Sequence, residues 1–399
     1  MRVGPLARIV AAASAGFVIG AVLTLQVQGH GAVPGPSHGP SRLQVPPRIT
    51  PEPPATFLAW TPGGLPTGFG RRAASLAGID RVTTVRSDNT WLTRSYSSQG
   101  RLVDHPTRGY QIPLESAAVD PRGYAAFLPP ADRGLTVALA NGQGILGSSS
   151  AKLRGLGPGA VLEFGRTRVR IAAVLPDELV GANELMVSFR TGARIGVTHP
   201  RYALLQPSHL PSDSTLTQRL RRILPRGLRV QVKAPGETPY FRQGDAVLPP
   251  VRLKQLFGEF AARPDPRHPG YLLIDPAWVR AHIATERVPV LGRVTCNRAI
   301  FPQLRGAMRE IRQRGLSRTI HTYDGCYSPR YINRNPRLDI SHHAWGVAVD
   351  INAGTNPFGA PPHQDLRMVR VMTSWGFTWG GTWVVPDGSH FEYRRPATS

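Results

Sequence analysis

Residues 341–350 read SHHAWGVAVD, and residues 377–393, near the end of the chain, read FTWGGTWVVPDGSHFEY. In the continuation GVAVDIN the side-chain alternation of a strand puts Val347, Val349 and Ile351 on one face and Ala348 with Asp350 on the other. Asp350 therefore sits opposite the core face. The closing HFEY repeats the pattern, with His390 and Glu392 sharing a face while Phe391 and Tyr393 turn inward. His343, Asp350 and His390 would supply three ligands and leave a fourth position open to water, the arrangement that a catalytic zinc needs. Asp387, three residues before His390, could stand beside the metal without ligating it and move a proton. Glu392 is the rival for that role, or else orients a ligand from behind. His342 occupies the position beside the motif histidine and reads as surface or as a group behind the ligands, and Trp379 and Trp383 read as core and pocket wall.

Upstream of these stretches the pattern is helical. Leu304, Met308 and Ile311 suit a helix that Gly315 ends, and Val251, Leu253, Leu256, Phe257 and Phe260 suit another. The change of pattern places a boundary within APGETPYFRQGDAVLPP, residues 234–250. Before it, short β-branched runs alternate with Gly, Pro and Asp turns: RVTTVRS from Arg81, LTVALA from Leu135, RVRIAAVLP from Arg168, ELMVSF from Glu184 and LRVQV from Leu228. A helix with Leu216, Leu220, Ile223 and Leu224 on one face starts at the Ser212–Ser214 cap region and ends at Pro225. The fold class is α+β. Gly142, Gly144 and Gly147 form a G-x-G-x-x-G pattern, but Gly155 and Gly157 break the helix that should follow and no series of βαβ units is present, so these glycines read as tight turns.

The chain has 399 residues, enough for two folded units and appendages. Residues 9–25, IVAAASAGFVIGAVLTL, form an uncharged apolar run behind Arg2 and Arg8, which keeps the N-terminus inside and sends the rest outward. Residues 1–27 are thus a signal anchor or signal peptide, and the remainder is extracytoplasmic, membrane-anchored or secreted. Residues 28–56 are a Pro-rich linker that could reach roughly 80 Å when extended. Residues 57–234 make one α+β domain and residues 235–399 a second. The net charge of +23 would suit nucleic acid in a cytoplasmic protein, but an exported chain meets anionic wall polymers, and no nucleic-acid motif is present. Cys296 and Cys326 are the two cysteines; outside the cytoplasm they read as a disulfide worth about 3.5 kcal/mol in the chain-entropy model. Their spacing is not that of zinc ligands.

Ser341, His343, Gly346, Ala348 and Asp350 match S-x-H-x-x-G-x-A-x-D, and with W-G-G-x-W and D-x-x-H-F-E the C-terminal region resembles the zinc D-alanyl-D-alanine carboxypeptidase family. That family includes VanY-like enzymes and phage L-alanyl-D-glutamate endopeptidases, and the region is also similar to the extensin-like C-terminal domain. The resemblance covers about residues 290–395. It implies a small antiparallel sheet with flanking helices, Zn2+ held by His343, Asp350 and His390, Asp387 as general base where many relatives carry Glu, and Arg330 or Arg298 holding a substrate carboxylate or carbonyl. The implied substrate is the stem peptide of peptidoglycan. A non-catalytic wall-binding or interaction protein that keeps the peptidase fold is the alternative. The stretches GLPTGFGRRAASLAGIDRVTTVR and LANGQGILGSSSAKLRGLGPGAVLEF resemble the extracytoplasmic domains of macrolide-exporter-type ABC permeases, which implies a positioning or interaction domain without chemistry of its own.

Overall fold

The β-branched run that begins near Ile79 organises the middle of the molecule. In a computed structural model that describes residues 55–237, 244 and 248–396, Ile79–Leu92 is a 14-residue strand. It is paired antiparallel with Pro200–Pro207 on one side and Ile112–Val119 on the other. Around this strand an 11-stranded mixed sheet assembles, with parallel pairs between Ile112–Val119 and Leu185–Ser188 and between Gly144–Gly147 and Thr167–Leu175. The helix Asp213–Arg222 starts where expected, its cap Ser212 accepting from Thr215 N, and buries Leu216 and Leu220.

Two expectations for this region change. Leu135–Ala140 is not a strand: a 3-10 turn, Arg133–Leu135, runs into a helix, Thr136–Ala140. Thr136 and Leu139, three apart, are buried while Val137 is 62% exposed, a helical spacing that outweighs the apparent alternation of the sequence. Of the three motif glycines only Gly142 serves a turn, with φ +83°, while Gly144 and Gly147 bound a buried strand. A Cβ at Gly144 would lie 2.8 Å from Leu185 Cδ1, and one at Gly147 would lie 2.7 Å from the Asn183 carbonyl oxygen, so close approach explains both.

The C-terminal region buries its own apolar cluster around Leu304, Met308, Trp345, Val349, Met372 and Phe391. Its sheet runs Tyr323–Gly325, Ala348–Ile351, His390–Tyr393, Phe377–Trp379, antiparallel throughout. Helices Phe301–Gln313 and Leu366–Ser374 flank it, each burying one apolar stripe. Cys296 and Cys326 are disulfide-bonded, tying the Ile283–Val288/Gly292–Asn297 hairpin to the segment that follows Tyr323–Gly325.

The two regions meet across buried charge. Lys254 Nζ lies 2.6 Å from Glu184 Oε1 and 3.0 Å from Glu259 Oε1, while Arg154 is paired with Glu259 and sits 3.3 Å from Glu184 Oε2. Arg154 and Glu184 belong to the middle region, Lys254 and Glu259 to the C-terminal one. The expected anchor and most of the linker lie outside the described residues, among which no helix is long and apolar enough to cross a membrane.

Candidate active site

The alternation read from the sequence is what brings the chemistry together. Val347, Val349, Ile351 and Phe391 are fully buried, which turns Asp350 and His390 to the opposite face. In the antiparallel ladder Asp350 pairs directly with His390, and Ala348 with Glu392. His343 comes from a 3-10 turn, His342–Trp345, capped by Ser341, whose hydroxyl accepts from His343 N at 3.4 Å. Gly346 leaves that turn with φ +67°, and a Cβ there would meet Asn297 N at 2.7 Å, so the motif position takes glycine.

Three ligand atoms converge. His343 Nε2 lies 3.2 Å from Asp350 Oδ2 and 3.2 Å from His390 Nδ1, and His390 Nδ1 lies 3.1 Å from Asp350 Oδ1. One atom from each of the three residues falls within 4.8 Å of the others, so the trio could hold a metal ion. Both imidazoles are anchored from behind. His343 Nδ1 donates to the Cys326 carbonyl oxygen at 2.7 Å, which presents Nε2 to the site. His390 Nε2 lies 3.4 Å from Glu392 Oε2, which leaves Nδ1 facing the trio. His342 is buried, not on the surface, its Nδ1 2.7 Å from Glu392 Oε2. Of the two places read for it from the sequence, His342 takes the one behind the candidate ligands.

The charges reflect this packing. Burial raises the Asp350 carboxyl, but His343 and His390 outweigh it and hold the group well below the usual carboxylate range. Burial lowers His390, but hydrogen bonds to Asp350 and Glu392 prevail and push it up to about 10. Glu392 is likewise held low, His342 and His390 overcoming its burial. Asp387 moves the other way: burial raises it, and the negative Asp350 raises it further against the pull of His390.

Asp387 rides on the loop between the last two strands. Its Oδ1 accepts from Ser389 Oγ at 3.1 Å, its N–H donates to the Gly380 carbonyl, and His390 N donates to its carbonyl at 3.2 Å. A Cβ at Gly381 would strike the Trp379 ring at 2.2 Å and one at Gly380 the Asp387 carbonyl at 2.7 Å, so W-G-G folds the loop back on itself. Trp379 Nε1 donates to Gly388 O, and the Trp383 ring centroid is 5.2 Å from that of His390. Trp383 is thus a wall of the site.

Sixty residues of this region carry a family signature. Residues 334–393 match the D-alanyl-D-alanine carboxypeptidase family model. The matched segment begins after Arg330 and includes His343, Asp350, Asp387 and His390. Among curated proteins none matches the chain. Two solved structures are similar over parts of it: the periplasmic region of MacB from Actinobacillus actinomycetemcomitans, with 14% identity, TM-score 0.31, 45% of this chain and 88% of that one, and the extracellular domain of the noncanonic ABC-type transporter YknZ from Gram-positive bacteria, with 13% identity, TM-score 0.30, 44% of this chain and 99% of that one.

The two candidate arginines both precede the matched segment. Arg330 is half-buried on a strand bridge with Tyr271, and its carbonyl accepts from Ser341 N at 3.0 Å, beside His343. Arg298 is exposed and donates to the Arg280 carbonyl at 3.4 Å. Neither guanidinium hydrogen-bonds to the trio among the described residues.

Proposed function

We propose that residues 235–399 are a zinc peptidase domain, extracytoplasmic, that hydrolyses a peptide bond in the stem peptide of peptidoglycan. The observation that carries this reading is the convergence of His343 Nε2, Asp350 and His390 Nδ1 in one trio, both imidazoles buried, with Asp387 three residues ahead of His390. Two imidazoles and one carboxylate are the donor set of a catalytic zinc site that keeps a position open. Zinc bound there supplies a Lewis acid for the scissile carbonyl and activates water at neutral pH.

The chain's own groups do the rest. Asp387, its pKa raised by burial, accepts the proton of the attacking water and returns it to the leaving amine. Glu392 and the Cys326 carbonyl fix which nitrogen of His390 and His343 faces the site. Arg330, whose carbonyl accepts from Ser341 N beside His343, is the first candidate to hold a substrate carboxylate, ahead of Arg298. The test is digestion of defined peptidoglycan with the purified protein, reading products by mass spectrometry and bound metal by elemental analysis. About one zinc per chain and chelator-sensitive release of a stem-peptide fragment are expected. Intact muropeptides in the presence of a stoichiometrically bound metal would turn the reading towards a wall-binding module.

A further inference from the structure

Both loops that carry the site are held from the middle region. Arg201, buried on the Pro200–Pro207 strand, donates from Nε to the Ser87 carbonyl at 2.8 Å and lies 3.3 Å from Asp88 Oδ1. Its Nη2 also reaches across to the Arg337 carbonyl at 2.8 Å and lies 3.8 Å from Asp339 Oδ1. Arg337 and Asp339 sit on the loop that joins Arg330 to Ser341 and His343. On the other side Arg229 Nη1 donates to the Val384 carbonyl at 2.8 Å. Val384 also packs against the middle region's apolar cluster of Leu58, Trp60, Tyr202 and Leu204. It directly follows Trp383, which faces His390, and precedes Asp387 by three residues.

A third tie runs through the backbone. Gln111 exchanges two hydrogen bonds with Ala262, of 2.9 and 2.8 Å. Ala262–Pro264 pairs with Leu272–Ile274, Tyr271 bridges to Arg330, and Tyr331 bridges to Ile340. A ladder therefore connects the middle region to the segment bearing the candidate substrate arginine.

We propose that residues 57–234 are a positioning element of the peptidase, in which Arg201 and Arg229 hold the two loops that present His343 and Asp387. The middle region is then neither a tether nor an independent module: the site attains its geometry only while that region is docked. Neither arginine touches the trio or Asp387, so both act through backbone carbonyls of the loops. The inference rests on the peptidase reading for its consequence in catalysis, but not for the bracing itself.

Full-length protein decides it, read by hydrogen exchange and by kinetics. Arg229→Ala should speed exchange of the amides in 380–390 by about tenfold, the size expected for losing one charged hydrogen bond, with the rest of the chain unchanged. Arg201→Lys keeps a cation by Asp88 but falls short of the Arg337 carbonyl, and should do the same for 334–341. On muropeptide substrate both should lower kcat about tenfold with KM within about twofold, and Arg229→Lys, which retains a donor, should recover most of the loss. Unchanged exchange in both loops overturns the proposal, as does a rise spread evenly over the whole chain in both variants. If the wild-type protein hydrolyses no muropeptide while the loops respond as stated, the peptidase reading falls and the bracing stands.

Discussion

A buried cluster of ionisable groups where the regions join can be set against the one at the C-terminal sheet. At the join, Arg154 and Lys254 face Glu184 and Glu259, with Asp104 also 3.6 Å from Arg154 and Lys254 donating to the Pro113 carbonyl. Each charge is answered, and nothing is left pointing at a common space. At the sheet, His343, Asp350 and His390 crowd three ligand atoms together, and each imidazole is fixed from behind so that its remaining nitrogen faces inward. The same ingredients, buried and paired, serve cohesion in one place and convergence in the other. What separates them is direction: a structural cluster spends its lone pairs on its own members, whereas a ligand site aims them at a point.

The largest expected effect breaks the convergent cluster. His343→Ala or His390→Ala should remove bound zinc and bring hydrolysis down to background, while the protein stays folded, since the apolar cluster beneath the site does not include them. Metal content by elemental analysis and a thermal melt check both halves. Full zinc occupancy in the double variant would show that the trio is not the site.

Asp387, the proposed general base, is not one of the converging groups, and its replacement sharpens that distinction. Asp387→Asn should keep zinc and lower kcat by on the order of 10² to 10⁴ with little change in KM, as removal of a general base does. Asp387→Glu should retain substantial activity. Glu392 faces His342 and the outer nitrogen of His390, so Glu392→Gln should weaken zinc binding, by about 10- to 100-fold, more than it slows the chemical step. A fully active Asp387→Asn beside a dead, zinc-replete Glu392→Gln would reverse the two assignments.

Much of the site was legible because strand alternation is a local property. Val347, Val349 and Phe391 could be placed inward, and Asp350 and His390 outward, from residue order alone. The disulfide followed from two cysteines in a chain expected to be exported. What the sequence hid was non-local. His342 sits at an unconstrained motif position, and only the register of Ala348 against Glu392 shows that its partner is a buried carboxylate. The strand expected at Leu135–Ala140 failed because short apolar runs do not tell helix from strand without knowing which face is covered. The closed cluster at the join went unread altogether: Arg154, Glu184, Lys254 and Glu259 are scattered along the chain and look like ordinary surface charges.

That closed cluster should be intolerant of half-removal. Lys254→Met leaves Glu184 fully buried with only Arg154 near it, and should cost about 3 to 5 kcal/mol of stability in chemical denaturation. The double variant Lys254→Met/Glu184→Gln should regain part of this, because the uncompensated charge is gone. A single variant as stable as wild type would mean that water reaches the join and that the cluster is not closed.

The smallest effect is the acid limb of stability, and it tests the same cluster without cutting it. Burial raises the Glu259 carboxyl, but Lys254 and Arg154 outweigh it and bring it down to about 2. The unfolded chain has an ordinary glutamate near pKa ~4.3. Between these values the unfolded state holds a proton that the folded state does not, so stability falls as pH falls. The contribution is fully present above about pH 4.5 and is lost as pH drops through about 2, amounting to roughly 2 to 3 kcal/mol. Asp350 and Glu392 are also held low and slope the same way, so the comparison must be between wild type and Glu259→Gln. The variant should be less stable at pH 6 and should show a shallower decline from pH 4.5 to 2.5, the two curves drawing together towards low pH. Parallel curves would mean that Glu259 keeps its ordinary pKa, and that the join is held by apolar packing and backbone pairing instead of by its charges.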